Sequence, residues 1–173
     1  MEIVPPRKNI SDFDLRSEKL PAQSAYKRDH IKSLYGGIPP CVIVHVEDIR
    51  SIRFTTERVA RQEKCTYYGF SNGEGALAFI QKYEVDVVLM DIDLAGGGGS
   101  WNGYETARRI LELYPDQLIY SASAEKEIDN PLVGERSMFN GHLGKEGIAN
   151  FIKNDLAPLV SAAITKKLKI KTT

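Results

Sequence analysis

Four carboxylates, a hydroxyl and an ammonium group stand at the ends of short apolar runs. Glu47 and Asp48 follow CVIVHV (41–46). Asp91, and two residues later Asp93, follow VDVVLM (85–90). Ser121 stands near the end of QLIYSA (117–122), and Lys145 follows GHLG (141–144). Like charges a few Å apart cannot all stay ionised without a counter-charge. A hard divalent cation resolves the conflict: Mg2+, or Mn2+, accepts one or two carboxylates while keeping waters. Such a cation and Lys145 together clamp phosphoryl oxygens, and Ser121 can donate a hydrogen bond to one of them. A carboxylate can also accept a phosphoryl group as an aspartyl-phosphate. Asp91, closing the most strand-like run, is the candidate acceptor.

These groups meet only if the runs are neighbouring parallel strands. CVIVHV has the length and β-branched content of a strand buried on both faces, and CTYYGF (65–70) reads as a second strand. VDVVLM, QLIYSA and a short GHLG continue the series. Helices are expected between them at 50–62, at 73–82 after the capping residues Ser71 and Asn72, and at 103–113. Residues 125–138 read as weakly helical, interrupted by Pro131 and Gly134. A last helix at 147–165 carries Pro158, which kinks or splits it. Five alternations predict an α/β fold: a five-stranded parallel sheet, order 2-1-3-4-5, doubly wound with helices on both faces. Ligands of such sheets sit beyond the carboxyl ends of the strands, at the switch point between strands 1 and 3. The acidic pair and Asp91 fall there.

In that order, VIVHVED followed by IRSIR, then VDVVLMDIDL, IYSA and HLGKE, resemble the receiver domain of two-component response regulators across 41–165. The resemblance implies that Glu47 and Asp48 are the metal-binding acidic pair and Asp91 the phosphoacceptor. It makes the Asp93 backbone carbonyl a metal ligand and Lys145 the family's lysine. Ser121 becomes the hydroxyl that moves toward the phosphoryl group, with Ser123 a nearby alternative, and His142 takes the place of the switch aromatic. The implied donor is a histidine kinase or a histidine phosphotransfer protein. The implied output is a downstream protein target, a fused output domain or a phosphorylation-dependent homodimer. The domain would not be a conventional enzyme; it would catalyse only its own phosphotransfer and dephosphorylation. The sequence departs from the family in four ways: Ala95 replaces a proline, GGGGSW lengthens the loop after Asp91, Glu146 follows Lys145, and His142 replaces Tyr or Phe. Two other readings compete. A pseudo-receiver would keep the surface without the chemistry. A haloacid-dehalogenase-type phosphatase shares the D-x-D pattern, but there the acidic pair follows the aspartate motif, whereas here it precedes it.

The remaining sequence narrows the classes. The chain has 173 residues, of which 42 % are hydrophobic and 27 % charged, in keeping with one globular domain. Residues 1–40, rich in proline, read as an extension or linker with one short helix at about 22–34, and 166–173 as a lysine-rich tail. The body, 41–165, is acidic and gives no support for nucleic-acid contact. No apolar stretch has the length of a membrane span, and the N-terminus lacks a signal sequence. With two cysteines outside any C-x-x-C spacing, a reduced cytoplasmic setting is expected. Cys41 and Cys65 are expected to start adjacent strands as buried thiols. The glycine run lacks the Walker ending and reads as a mobile loop, with Trp101 a lid anchor or an exposed contact. His45 reads as a core histidine. No effector domain fits after the last helix, so a stand-alone receiver or one cut from a larger regulator is expected.

Overall fold

A computed structural model describes residues 41–125 and 128–162. The expected short helix at 22–34 and the lysine-rich tail lie outside the described residues. Strand β1 (Val42–Val46) is wholly buried, because β-branched residues occupy both of its faces. It pairs in parallel with β2 (Thr66–Phe70) on one side and β3 (Val87–Met90) on the other. Strand β4 (Leu118–Ser121) follows β3. A hairpin of β5 (Leu132–Val133) and β6 (Arg136–Ser137) precedes β7 (Gly141–His142), which completes the sheet beside β4. The order β2-β1-β3-β4-β7 is the expected doubly wound arrangement, with β7 in the fifth place.

Alternation along the strands divides the core. Val42, Val44, Val46, Val88 and Met90 pack against Ala76, Phe79, Ala107 and Ile110 of α2 (Gly73–Ile80) and α3 (Gly103–Leu113). Ile43, Val87 and Leu89 face Ala60 of α1 (Arg50–Gln62), Ile148 of α4 (Gly144–Asn150), and Phe151, Ile152 and Leu156 beyond it. Helix α4 passes into a π-helical stretch, Phe151–Asp155, and regains α geometry over 156–162. Pro158 has no N–H and its ring crowds the carbonyl four residues back, Asn154, which lies in the π stretch. The proline therefore distorts the preceding turn without ending the helix.

Three expectations need correction. Among the described residues, 125–138 contains no helix. Pro131 lacks a donor, and Gly134 adopts φ 64, turning the chain into the β5–β6 hairpin. Asn130 ties the base of that hairpin to Phe139: its Oδ1 accepts from the Phe139 N–H at 2.8 Å and its Nδ2 donates to the Phe139 carbonyl at 3.0 Å. Second, the fifth strand covers two residues rather than GHLG. Third, the last helix begins at Gly144, so Lys145 lies in a first helical turn rather than at a strand end.

Candidate functional site

The parallel register brings the carboxyl ends of β1 and β3 side by side, with His45 opposite Leu89 and Val46 opposite Met90. The Asp91 N–H donates to the Val46 carbonyl at 2.9 Å, which seats Asp91 beside the Glu47–Asp48 pair. One oxygen from each of Glu47, Asp48 and Asp91 lies within 4.8 Å of the others. Helix α3 closes in behind Asp91. A Cβ on Gly103 would stand 2.1 Å from the Asp91 carbonyl oxygen, so only glycine allows this approach.

Lys145 is the counter-charge. Its Nζ lies 2.9 Å from Asp91 Oδ2, 3.1 Å from Glu47 Oε1 and 3.0 Å from Glu47 Oε2. Burial opposes the charge on the ammonium, but the hydrogen bonds to Asp91 and Glu47 outweigh it and raise its pKa. Burial pushes the Glu47 carboxyl up; the Lys145 hydrogen bond opposes this, while the Asp91 charge adds to it. Glu47 Oε1 also accepts from the Ile49 N–H at 3.1 Å, and the buried Oε2 is paired with the Lys145 ammonium at 3.0 Å. Three clustered carboxylates face a single ammonium, and a hard cation offsets the remaining negative charge. The three-carboxylate donor set thus fits Mg2+ or Mn2+.

Asp93 stands apart from this cluster. Its side chain is exposed and its Oδ1 accepts from the Ala95 N–H at 3.2 Å. Ser121 is buried opposite Met90, one position short of Asp91 in the strand register. Its Oγ lies 2.8 Å from His142 Nδ1, and His142 Nε2 lies 2.8 Å from the Glu125 carbonyl oxygen. That carbonyl can only accept, so Nε2 carries the proton. In the neutral ring Nδ1 then accepts from the Ser121 hydroxyl. Ser123 is buried two residues on, and its Oγ accepts from the Glu125 N–H at 3.4 Å. His45 is buried as expected, with Nδ1 3.0 Å from the Tyr67 hydroxyl but Nε2 unpartnered.

Two supports went unnoticed in the sequence. Arg53 of α1 donates from Nη1 to the Glu47 carbonyl and, at 2.9 Å, to the Asp48 carbonyl, tying the acidic pair to the helix. The Gly96 N–H donates to Asp48 Oδ2 at 2.8 Å. The glycine run is held rather than loose: Asn72 Nδ2 donates to the Gly97 carbonyl, and the Ser100 N–H donates to Glu74 Oε1. A Cβ on Gly97 would lie 1.7 Å from the Ser71 carbonyl oxygen, so the loop packs this closely because it is glycine. Trp101 is partly buried, with the Arg109 guanidinium 4.3 Å from its ring centroid. For Arg53 the signal was IRSIR itself, an arginine in the first turns after the acidic pair. For Gly96 it was the glycines.

The family model of the response regulator receiver domain matches residues 43–154. The chain belongs to the response regulator receiver family. Solved structures share the fold. The N-terminal domain of a response regulator/sensory box/GGDEF three-domain protein from Carboxydothermus hydrogenoformans is 22 % identical, with a TM-score of 0.58, over 71 % of this chain and 98 % of that one. Response regulator TrrA from Thermotoga maritima, solved in complex with Mg2+–BeF, is 22 % identical, with a TM-score of 0.58, over 69 % and 98 %. The Mn2+-bound form of response regulator Rcp1 is 18 % identical, with a TM-score of 0.55, over 68 % and 95 %. The search of curated proteins returned no match. A receiver is a two-component signalling domain rather than a conventional enzyme. No helix among this receiver's described residues is long and apolar enough to cross a membrane.

Proposed function

We propose that this receiver takes a phosphoryl group from a phosphohistidine onto Asp91, with Mg2+ or Mn2+ held by Glu47, Asp48, Asp91 and the Asp93 carbonyl. The observation that carries this reading is the contact of Lys145 Nζ with Asp91 Oδ2, 2.9 Å, inside a cluster of three carboxylates. The metal supplies positive charge to the phosphoryl oxygens as they approach a negative site. Two receivers of this fold solved with Mg2+–BeF and with Mn2+ support that choice of ion.

In the transfer, an Asp91 carboxylate oxygen attacks phosphorus. The P–O bond forms, the P–N bond to the donor imidazole breaks, and the neutral imidazole leaves with a proton from solvent. Lys145 releases an Asp91 oxygen and follows the phosphoryl charge with a charge-assisted bond. Ser121 turns its hydroxyl from His142 to a phosphoryl oxygen, and that exchange carries the signal to β7 and the β5–β6 hairpin. The donor is a histidine kinase or histidine phosphotransfer protein, and exposed Ile49 and Phe54, beside the acidic pair, suit an apolar helical partner. The reader of the phosphorylated form is a protein target, a fused output domain or a second copy, in a cytoplasmic setting.

Intact mass after treatment with acetyl phosphate and Mg2+ tests the reading. One phosphoryl mass on wild type and none on Asp91→Asn is expected. An unlabelled wild type would make the chain a pseudo-receiver, and equal labelling of the variant would move the acceptor elsewhere.

A further inference from the structure

At the amino ends of the strands, opposite the rim that carries Asp91, Cys41 and Cys65 lead into β1 and β2. The register pairs Val42 with Thr66, and the Thr66 N–H donates to the Cys41 carbonyl at 2.8 Å. The two cysteines extend that register by one residue each. Neighbouring strands lie about 4.8 Å apart, inside the roughly 4.4–6.8 Å Cα window of disulfides. Their side chains point to the same side of the sheet, into the cluster with Ile43, Ala60 and Val87. The register therefore places the two thiols side by side at the strand starts, where Cys65 Sγ donates to the Glu63 carbonyl at 3.7 Å. Their accessibilities differ: Cys41 is 6 % exposed, whereas Cys65 is only partly buried.

We propose that Cys41 and Cys65 are a dithiol that a hydroperoxide oxidises to an intramolecular disulfide joining the starts of β1 and β2. Cys65 reacts first because it is the accessible sulfur. The hydrogen bond from Cys41 also holds its thiol below the ordinary range, outweighing burial and the charges of Glu63 and Asp86. The Cys65 thiolate attacks the peroxide; an S–O bond forms, the O–O bond breaks, and a sulfenic acid and an alkoxide or hydroxide result. The Cys41 sulfur then attacks the Cys65 sulfur. The S–S bond forms, the S–O bond breaks, and the departing hydroxide takes the Cys41 proton as water. Two thiols lose two electrons in all, and the peroxide gains them. The bond leaves the groups at the phosphorylation rim untouched, so this modification is independent of phosphotransfer to Asp91.

The test uses the full chain, native, with hydrogen peroxide as oxidant, followed by alkylation and mass spectrometry. The expected product has lost two hydrogen masses, contains a peptide joining Cys41 to Cys65, and reverts with dithiothreitol. Cys41→Ser should instead leave a dimedone-reactive sulfenic acid on Cys65, while Cys65→Ser should keep Cys41 alkylatable after denaturation. Full alkylation of both thiols in oxidised wild type would overturn the proposal. So would chain-to-chain disulfides alone, or sulfinic acid on Cys65 without a joined peptide.

Discussion

Ser121 Oγ lies 2.8 Å from His142 Nδ1, and the other nitrogen of that ring is committed to the Glu125 carbonyl. With the ring neutral, the serine hydroxyl donates to imidazole, and the Gly141 carbonyl at 3.4 Å is its other, longer acceptor. Reaching a phosphoryl oxygen on Asp91 requires it to exchange one hydrogen bond for another. A Tyr or Phe at this position would not offer the ring nitrogen.

His142→Phe removes the nearer competing acceptor and leaves only the longer contact to the Gly141 carbonyl. Affinity for beryllofluoride, a phosphoryl mimic, should rise by about threefold to tenfold, the net worth of one hydrogen bond. Ser121→Ala should lower it by a similar factor yet still accept phosphoryl from acetyl phosphate. Titration calorimetry of both variants in Mg2+ checks this; unchanged affinity in His142→Phe would show that the imidazole does not restrain the serine.

Lys145→Ala leaves Glu47 and Asp91 buried without their counter-charge. The metal-free protein should lose about 3 kcal/mol of stability, the scale for removing one partner of a buried pair. Because Mg2+ replaces the missing positive charge, much of that loss should be recovered in millimolar Mg2+, while labelling by acetyl phosphate stays slow. Urea unfolding with and without Mg2+ measures the difference. A deficit unaffected by Mg2+ would mean that the carboxylates hold no cation.

Gly97→Ala drives a Cβ into the Ser71 carbonyl and lifts the glycine loop. The Gly96 N–H then leaves Asp48 Oδ2, and the carboxylate loses its orientation. Mg2+ affinity should fall about tenfold, the lower end for losing an outer-shell partner of a metal ligand. Trp101, the sole tryptophan and attached to this loop, gives the fluorescence signal. Ser100→Ala is the control, since only its backbone N–H is engaged.

His45 is buried, and desolvation, with the nearby charges of Arg53 and Lys145, lowers its pKa from 6.5 to about 3. The unfolded chain therefore binds a proton that the folded chain refuses. The stability due to the neutral ring is present above pH 6.5 and is lost as pH falls toward 3, by up to about 1.4 kcal/mol per pH unit. His45→Gln should flatten the slope of unfolding free energy between pH 6 and 4 in metal-free buffer. An unaltered slope would assign the acid sensitivity to other groups.

Much of the site was legible because its spacing is tied to the strand period. Glu47, Asp48, Asp91 and Ser121 each stand where a short apolar run ends, and parallel strands put such ends on one rim. Residues 125–138 were misread because a weak helical pattern competes locally with Pro131, Gly134 and the reach of Asn130 to Phe139, nine residues away. Lys145 was assigned to the right rim but the wrong element, since a two-residue strand has almost no pattern of its own.

The sequence alone determined the alternation of strands and helices, the two apolar faces and the acidic run ends, because alternation and run length are local properties. Tertiary structure decided which polar atoms find partners across the chain. Arg53 meets the carbonyls of the acidic pair by direction, not by spacing alone. Asp48 meets Gly96, 48 residues on, and the Ser121 hydroxyl meets a histidine ring whose tautomer is set by the carbonyl of Glu125. Hydrogen bonds are short-ranged and directional, so sequence separation carries little information about which of them form.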